Sequence, residues 1–335
     1  MKRFIVLLGI RKTGLEHKEE TDKMSNQKSS VTTVSDVTLG RKPTILEILS
    51  NEKFFKWMLV LPLIIVLLIF MIYPLIFCIY KSFFNSTLGA AKDIFIGLEN
   101  YRTMLHDKNF WIPLGRTFQV TVICIVAELL VGLGLGSLWN SDFRGQNIIR
   151  GLILLPLLIA PLILSIVWNF LLEYNIGFIN QLFSVIGIGR VKWWDPGNAL
   201  YTICLITIWQ WFPFSASVLL AGLKSLPKDV FEAAKVDGAK GWYTFRRITL
   251  PMLSPLIVII TLLRTMWLIR LFDPLYGTTR GAVNTELLDW MVYRTSFVYF
   301  DIGYGSTIAI MSLLITMVIG AVMFRQLIRA LNATS

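Results

Sequence analysis

Charged side chains are scarce in this sequence. Asp, Glu, Lys and Arg make up 16% of its 335 residues, against about a quarter in an ordinary soluble domain. That deficit argues against a soluble globular protein. There are two histidines, His17 and His106, and neither has a second ligand in range, which argues against a metal enzyme. The three cysteines, Cys78, Cys124 and Cys204, are odd in number, scattered and set in apolar runs. They read as small buried hydrophobes rather than a disulfide or a metal site. No G-x-x-x-x-G-K-[ST] run occurs, so the chain has no Walker-type nucleotide site of its own. No nucleophile–base cluster is visible either, and a membrane-embedded enzyme would need one.

What the sequence has instead is apolar length. Hydrophobic residues make up 55% of it, with Phe 22 and Trp 11, and the mean hydropathy is +0.64. Six stretches can each cross a hydrocarbon core of roughly 30 Å as helices. They are approximately Trp57–Tyr80, Phe118–Trp139, Arg150–Leu172, Leu200–Leu223, Met252–Phe272 and Gly305–Gln326. The fold class expected is therefore an all-α polytopic membrane protein. Pro62, Pro74, Pro156, Pro161, Pro213 and Pro255 fall inside the stretches and predict kinks. Residues 1–52 are polar and rich in Ser, Thr and Lys, and are expected to form a mostly disordered tail. The run Phe4–Ile10 is too short and has the wrong flanks for a signal peptide. The segment "TILEILSNEKFF" before the first span is a candidate interfacial helix.

Net charge is +11, and residues 1–56 alone hold eleven Lys and Arg. This reads as topology rather than nucleic-acid binding, because basic residues collect on cytoplasmic flanks. An even number of spans then places both termini in the cytoplasm. The connector before Met252 falls on the same side, with Lys224, Lys228, Lys235, Lys240, Arg246 and Arg247. The loop from Lys81 to Thr117 would face outward, although it also carries five basic residues, offset in part by Asp93, Glu99 and Asp107. Trp111, Trp193, Trp194 and Trp290 are expected in an outer aromatic belt, and Trp57, Trp139 and Trp242 in an inner one.

The connector is the most specific stretch. "LPKDVFEAAKVDGAKG" reads as a helix, with Pro227 in its first turn, Asp229 and Glu232 near its positive end, and Gly238 breaking it. Ala233, Ala234 and Ala239 would offer a flat face of small residues. A short amphipathic helix of this kind is either a lipid anchor lying on the membrane or a helix docked in a groove of a partner protein. The connector lacks a broad Leu/Phe stripe, and its small residues favour close approach by protein.

"EAAKVDGAKGWYTFRRITLP" resembles the EAA signature of ABC-importer permease subunits: E-A-A, three residues, G, nine residues, then I-x-L-P. Glu232, Ala233, Ala234, Gly238, Ile248, Leu250 and Pro251 fill every defined place. The resemblance runs over roughly residues 55–330. "FIGLENYRTML", "NFWIPLGRTF", "LLPLLIAPLILSIVWNFLLEYNIGFINQLF", "LLRTMWLIRLFDPLY", "NTELLDWMVYRTSF" and "DIGYGSTIAI" are similar to segments of the carbohydrate branch, of maltose/glycerol-phosphate type. One stretch departs: the family often has T-G-G-G-P after the fifth span, whereas Thr278–Val283 reads "TTRGAV".

The resemblance implies a six-helix type I importer permease in a bacterial inner membrane. Its domain would span 53–330, with a cytoplasmic EAA coupling loop at 224–251. Such a subunit is not an enzyme and holds no cofactor; ATP and Mg bind a separate ATPase. The implied partners are a second homologous permease, two ATPase subunits, an external solute-binding protein and lipid. The solute would be a sugar, polyol or glycerol-phosphate. Glu232, Ala233, Ala234, Asp237, Gly238 and Ala239 would couple to the ATPase, with Glu232, Asp237 and Gly238 as contact and bend residues. An ion-coupled secondary transporter is the alternative, but no internal inverted repeat is apparent.

Within the membrane, Glu128 and Arg264 sit at matching depths, each costing about 2.5–3.5 kcal/mol or more at a helix centre. Either they pair and pin two helices, or Arg264 lines the solute pocket, as the middle of the fifth span commonly does in the family. Trp209, Trp211 and Trp267 also lie at depth, and Gln210, Thr207, Ser215 and Thr265 could supply hydrogen bonds beside them. Rings with a few placed polar groups are the form of a neutral-solute site. Arg264, Trp267, Trp211, Gln210, Thr207 and Glu128 are the candidate pathway residues.

Overall fold

The computed structural model describes residues 52–90, 92–141 and 144–334. The tail expectation and most of the interfacial segment lie outside the described residues. By contact density the chain divides at Ile65/Val66. The N-terminal unit contributes only the start of helix α1 (Glu52–Leu67) to the described structure. The rest of the chain forms the second unit.

Chain order in that unit is as follows. A π-helical turn (Leu68–Ile72) leads into α2 (Tyr73–Lys81). Two short strands, β1 (Phe84–Asn85) and β2 (Ile94–Phe95), pair antiparallel, and α3 is Glu99–His106. Next come α4 (Lys108–Trp139), α5 (Gln146–Leu154), α6 (Pro161–Leu171), α7 (Phe178–Val185) and α8 (Ala199–Ser225). The connector gives α9 (Lys228–Val236) and α10 (Gly241–Thr244), and α11 is Leu250–Leu268. The chain closes with α12 (Asp273–Tyr276), α13 (Leu288–Tyr293) and α14 (Ile302–Thr334).

Five of the six expected spans are continuous helices long and apolar enough to cross a membrane: Lys56–Lys81, Lys108–Trp139, Ala199–Ser225, Gly241–Leu268 and Ile302–Arg329. The third is broken. Gln146–Leu158 and Pro161–Leu171 meet at 102°, far more than a proline kink. Pro161 lacks an N–H and biases Ala160 toward extended backbone, and Ala160 has φ −57°, ψ 132°. The second span begins at Lys108, ten residues before the expected Phe118, because Asp107 caps it by accepting from the Asn109 N–H at 2.8 Å. Pro113 lies inside this helix, and Thr117 Oγ1 donates to its carbonyl at 2.8 Å. The fifth span ends at Leu268 rather than Phe272. Two of the π-helical turns precede prolines. The Tyr73 N–H bonds Leu68 O before Pro74, and the Leu250 N–H bonds Phe245 O before Pro251. Shifting these bonds by one residue accommodates the missing proline donor.

The core is the contact between α4 and α8. Gly132 and Gly136 on α4 face Ser215 and Ala216 on α8. A Cβ built at Gly132 would lie 2.8 Å from Ser215 Cβ and 3.0 Å from the Ala216 nitrogen. Helices in lipid gain little from hydrophobicity, so small residues that let backbones approach take its place. Around this seam pack Val120, Cys124, Ile203, Cys204, Leu268, Leu275 and Trp290. Cys124 and Cys204 are buried, as read from their apolar settings, whereas Cys78 is only half-buried.

Two tryptophan assignments are corrected. Trp139 is 1% exposed and packs on Ala216 and Leu220, and Trp290 is 6% exposed within a ring cluster of Phe272, Tyr276 and Tyr293. Neither belongs to a belt. Trp57, Trp111 and Trp242 are exposed.

The "GLENY" segment acquires a physical reason at the end of α2. Asn100 Nδ2 donates to the carbonyls of Ser82 (2.9 Å) and Phe84 (3.0 Å), and Tyr101 Oη meets Ser82 Oγ at 2.8 Å. The excess of basic residues in this loop is also explained in part. Lys81 pairs with Asp93, and this bond holds the Asp93 carboxyl below its usual range. Arg102 lies 4.0 Å from Glu99.

Candidate functional site

Two constellations follow from this frame. The first is the connector. Pro227 caps α9, and the helix ends where Gly238 adopts φ +72°. An L side chain rarely adopts that angle, and glycine reaches it without steric cost. The Ala239 N–H closes the end on Ala234 O at 2.9 Å, and the Asp237 N–H bonds Ala233 O at 3.0 Å.

The small-residue face differs from the flat exposed surface expected. Ala233 is exposed, Ala239 half-buried, and Ala234 buried at 7%. They nevertheless share one groove of about 970 Å³ with Asp237, Gly238, Tyr243, Arg247 and Ile248. Glu232 lies on the other side of α9. It lines a separate groove of about 550 Å³ with Lys224, Lys228 and Lys235, walled by Ser137 and Asn140 at the end of α4. The EAA residues therefore split between two surfaces of one helix.

The second constellation is buried among α4, α8 and α11. Arg264 donates to both carboxylate oxygens of Glu128, from Nε at 2.6 Å and Nη2 at 2.7 Å. Both residues are at least 98% buried. The guanidinium also sits 4.4 Å from the ring centre of Trp211. A bidentate, stacked arginine suits a low-dielectric interior, where its charge must be matched. Of the two readings of this charge, the geometry gives the ion pair directly. Arg264 also borders a cavity.

That cavity is small, about 90 Å³, and its wall holds Thr207, Gln210, Trp211, Arg264 and Trp267 together. Five of the six candidate pathway residues thus converge; Glu128 sits behind Arg264 and does not line it. Trp211 and Trp267 rings are 5.1 Å apart at 54°. Trp209 points elsewhere, edge-on to Trp168 at 5.3 Å. Gln210 Nε2 donates to Ile159 O at 3.0 Å, at the break of the third span, and Thr207 Oγ1 donates to Ile203 O at 2.8 Å. Ser215 and Thr265 do not reach the cavity. Ser215 is pressed against Gly132, and Thr265 Oγ1 bonds back to Thr261 O at 2.7 Å.

Pro161, Arg270, Phe272, Asp273 and Pro274 are also part of the wall. Arg270 and the residues after it escaped the sequence reading because the fifth helix was expected to run on to Phe272. The "DP" dipeptide after it was the available signal, since a residue before proline disfavours helix. In the departing stretch Arg280 at φ 50° and Val283 at φ 48° hold left-handed angles that favour glycine.

Residues 129–332 match the family described as "Binding-protein-dependent transport system inner membrane component". The chain is 30% identical over 267 residues to the trehalose/maltose transport system permease protein MalF of Thermococcus litoralis, covering 78% of this chain and 89% of that one. It is 33% identical over 279 residues to the sulfoquinovosyl glycerol transport system permease protein SmoG of Agrobacterium fabrum, covering 82% and 91%. A solved bacterial ABC transporter that imports the acidic polysaccharide alginate has a chain of the same fold, with a TM-score of 0.70 and 22% identity, covering 83% of this chain and 96% of that one.

Proposed function

The chain belongs to the binding-protein-dependent transport system inner membrane component family, and on that premise we propose that it forms half of the pathway of an ATP-driven importer of a sugar, polyol or related small solute. The permeases it resembles serve trehalose/maltose and sulfoquinovosyl glycerol. A cavity that joins two indole rings to an amide and a hydroxyl suits a hydroxyl-rich solute. Its working partners are a second permease, two ATPase subunits with their own ATP and Mg, and an external binding protein.

The observation that carries this reading is α9, a helix of the connector that ends at a left-handed glycine and opens grooves on two sides. An ATPase seated in the groove of Ala233, Ala234, Asp237, Gly238 and Ala239 would move α9 as a lever. Through α10 and the π-helical turn at Phe245–Thr249, that motion passes to α11, which carries Arg264 and Trp267. A rigid-body shift of this kind alternates access. In this reading α9 and both termini lie in the cytoplasm of a bacterial cell, and the permease domain spans 53–330 behind a polar tail.

Uptake into proteoliposomes holding the assembled importer tests the reading, with trehalose and maltose as first probes. Uptake should require enclosed ATP, survive ionophores and fall in Glu232→Lys. Uptake driven by an ion gradient without ATP would make the chain a secondary transporter and overturn the proposal.

A further inference from the structure

The small cavity borders two larger hollows that are more open. One, of about 320 Å³, lies between α2, α13 and α14 and includes Cys78, Asp289, Tyr293 and Ser312. The other, of about 790 Å³, runs between α11 and α14 along Met266, Trp267, Met317 and Phe324. Arg270 alone lines all three. The small space of about 90 Å³ is well below the roughly 300–1,000 Å³ of a ligand pocket. A solute needs it to open into a neighbour.

Arg270 is built to move. It follows the last turn of α11, where its N–H bonds Trp267 O at 3.2 Å and the helix gives way to α12. Its side chain is 68% exposed, while that of Asp289 is 19% exposed. The pair is loose, with Arg270 Nε 3.6 Å from Asp289 Oδ2, whereas Ser312 Oγ donates to the other oxygen at 3.3 Å. The carboxylate is thus fixed from α14 and the arginine is free to leave. Arg264 differs, since Glu128 binds it on two nitrogens with no solvent in reach.

We propose that Arg270, latched on Asp289, is the movable partition of the solute cavity, and that it must release Asp289 to admit solute. An arginine is suited to this, because its long apolar stem closes space while its head exchanges one acceptor for another. On release, the guanidinium is free to donate to a solute hydroxyl or anionic group. The inference rests on the reading that the small cavity takes solute. Its test reads the partition without any solute.

Thr207→Cys places a thiol in the small cavity. The full chain in membrane vesicles, in a Cys78→Ala background, is treated with methyl methanethiosulfonate. With Arg270 present, labelling should be slow. Arg270→Ala removes stem and latch, and the rate should rise by more than about fivefold, beyond what loss of an exposed ion pair alone gives. Asp289→Asn frees the latch but keeps the stem, and the rise should reach at most about fivefold, the upper end for an exposed ion pair. Arg270→Lys should stay near the starting rate. The same variants with Thr207 intact correct for Cys124 and Cys204. If Arg270→Ala lowers the folded yield, Asp289→Asn alone decides. Labelling of Thr207→Cys at one rate whatever stands at 270 and 289 overturns the partition. Failure of sugar uptake with labelling as expected would instead count against the solute reading.

Discussion

Replacing Arg264 tests how the membrane interior of this protein is held together. Arg264→Gln removes both donors from Glu128 and leaves a carboxylate with 1% of its side chain exposed. Two hydrogen bonds of 2.6 and 2.7 Å are lost, and no other donor bonds Glu128 among the described residues. Breaking a buried pair by removing one member costs about 3–5 kcal/mol, because an uncompensated charge stays behind. At about 1.4 kcal/mol per factor of ten, the folded-to-unfolded ratio falls by roughly two to three and a half orders of magnitude. Glu128→Gln with Arg264→Gln removes both charges, and the remaining amides can bond each other. That double variant should recover to within about 1–2 kcal/mol of the native protein, since replacing both members of a buried pair is often near neutral. The assay is folded yield and thermal stability in detergent, with uptake measured on the rescued protein. A single variant as stable as the native protein, or a double variant no better than the single, would refute the pairing energetics. Rescued folding with full uptake would also remove Arg264 from the solute site.

Other consequences are equally direct. Gly132→Ala should destabilise by about 1–3 kcal/mol, since the new methyl group meets α8 at 2.8 Å, whereas Gly134→Ala, facing open space, should be tolerated; thermal melts compare them. Gly238→Val should cost about 1–2 kcal/mol locally for its left-handed angle, and Gly238→Asn less, so solute-stimulated ATP turnover should fall in that order while folded yield is kept. The Glu173 carboxylate accepts from the backbone N–H groups of Ile176 and Asn175, each at 2.7 Å, and the Ile176 bond leads in lowering its pKa below 4.5. A depressed folded-state value means that this turn is supported above pH 4.5 and released as pH falls through the lowered value. Hydrogen exchange at residues 174–177 should therefore quicken only in acid, and a rate independent of pH after intrinsic correction would contradict it.

Much of the fold was legible because apolar length is a strong signal. Five spans were recovered as continuous helices, and the helix of the connector was readable from Pro227 and Gly238. The 102° break was not, since Pro156 and Pro161 signal a weakened helix but not the angle. Trp139 and Trp290 were misplaced because tryptophan prefers interfaces on average, while here the α4–α8 seam and the ring cluster bury them. The gathering of Thr207, Gln210, Trp211, Arg264 and Trp267 was anticipated from depth and, for Arg264, from the family resemblance. Arg270 was overlooked, because the point where α11 ends depends on packing that one-dimensional hydropathy does not contain.

The proposed seat of the ATPase is α9. Ala233→Cys, exposed in the groove beside Gly238, tests it most directly in membranes of cells expressing the full chain. A short bifunctional thiol reagent should join it to a nucleotide-binding subunit, with a yield that changes when ATP is added. Val236→Cys, exposed on the same helix, should behave alike. Crosslinks that reach only lipid, or that form to the same extent with and without ATP, would contradict the account.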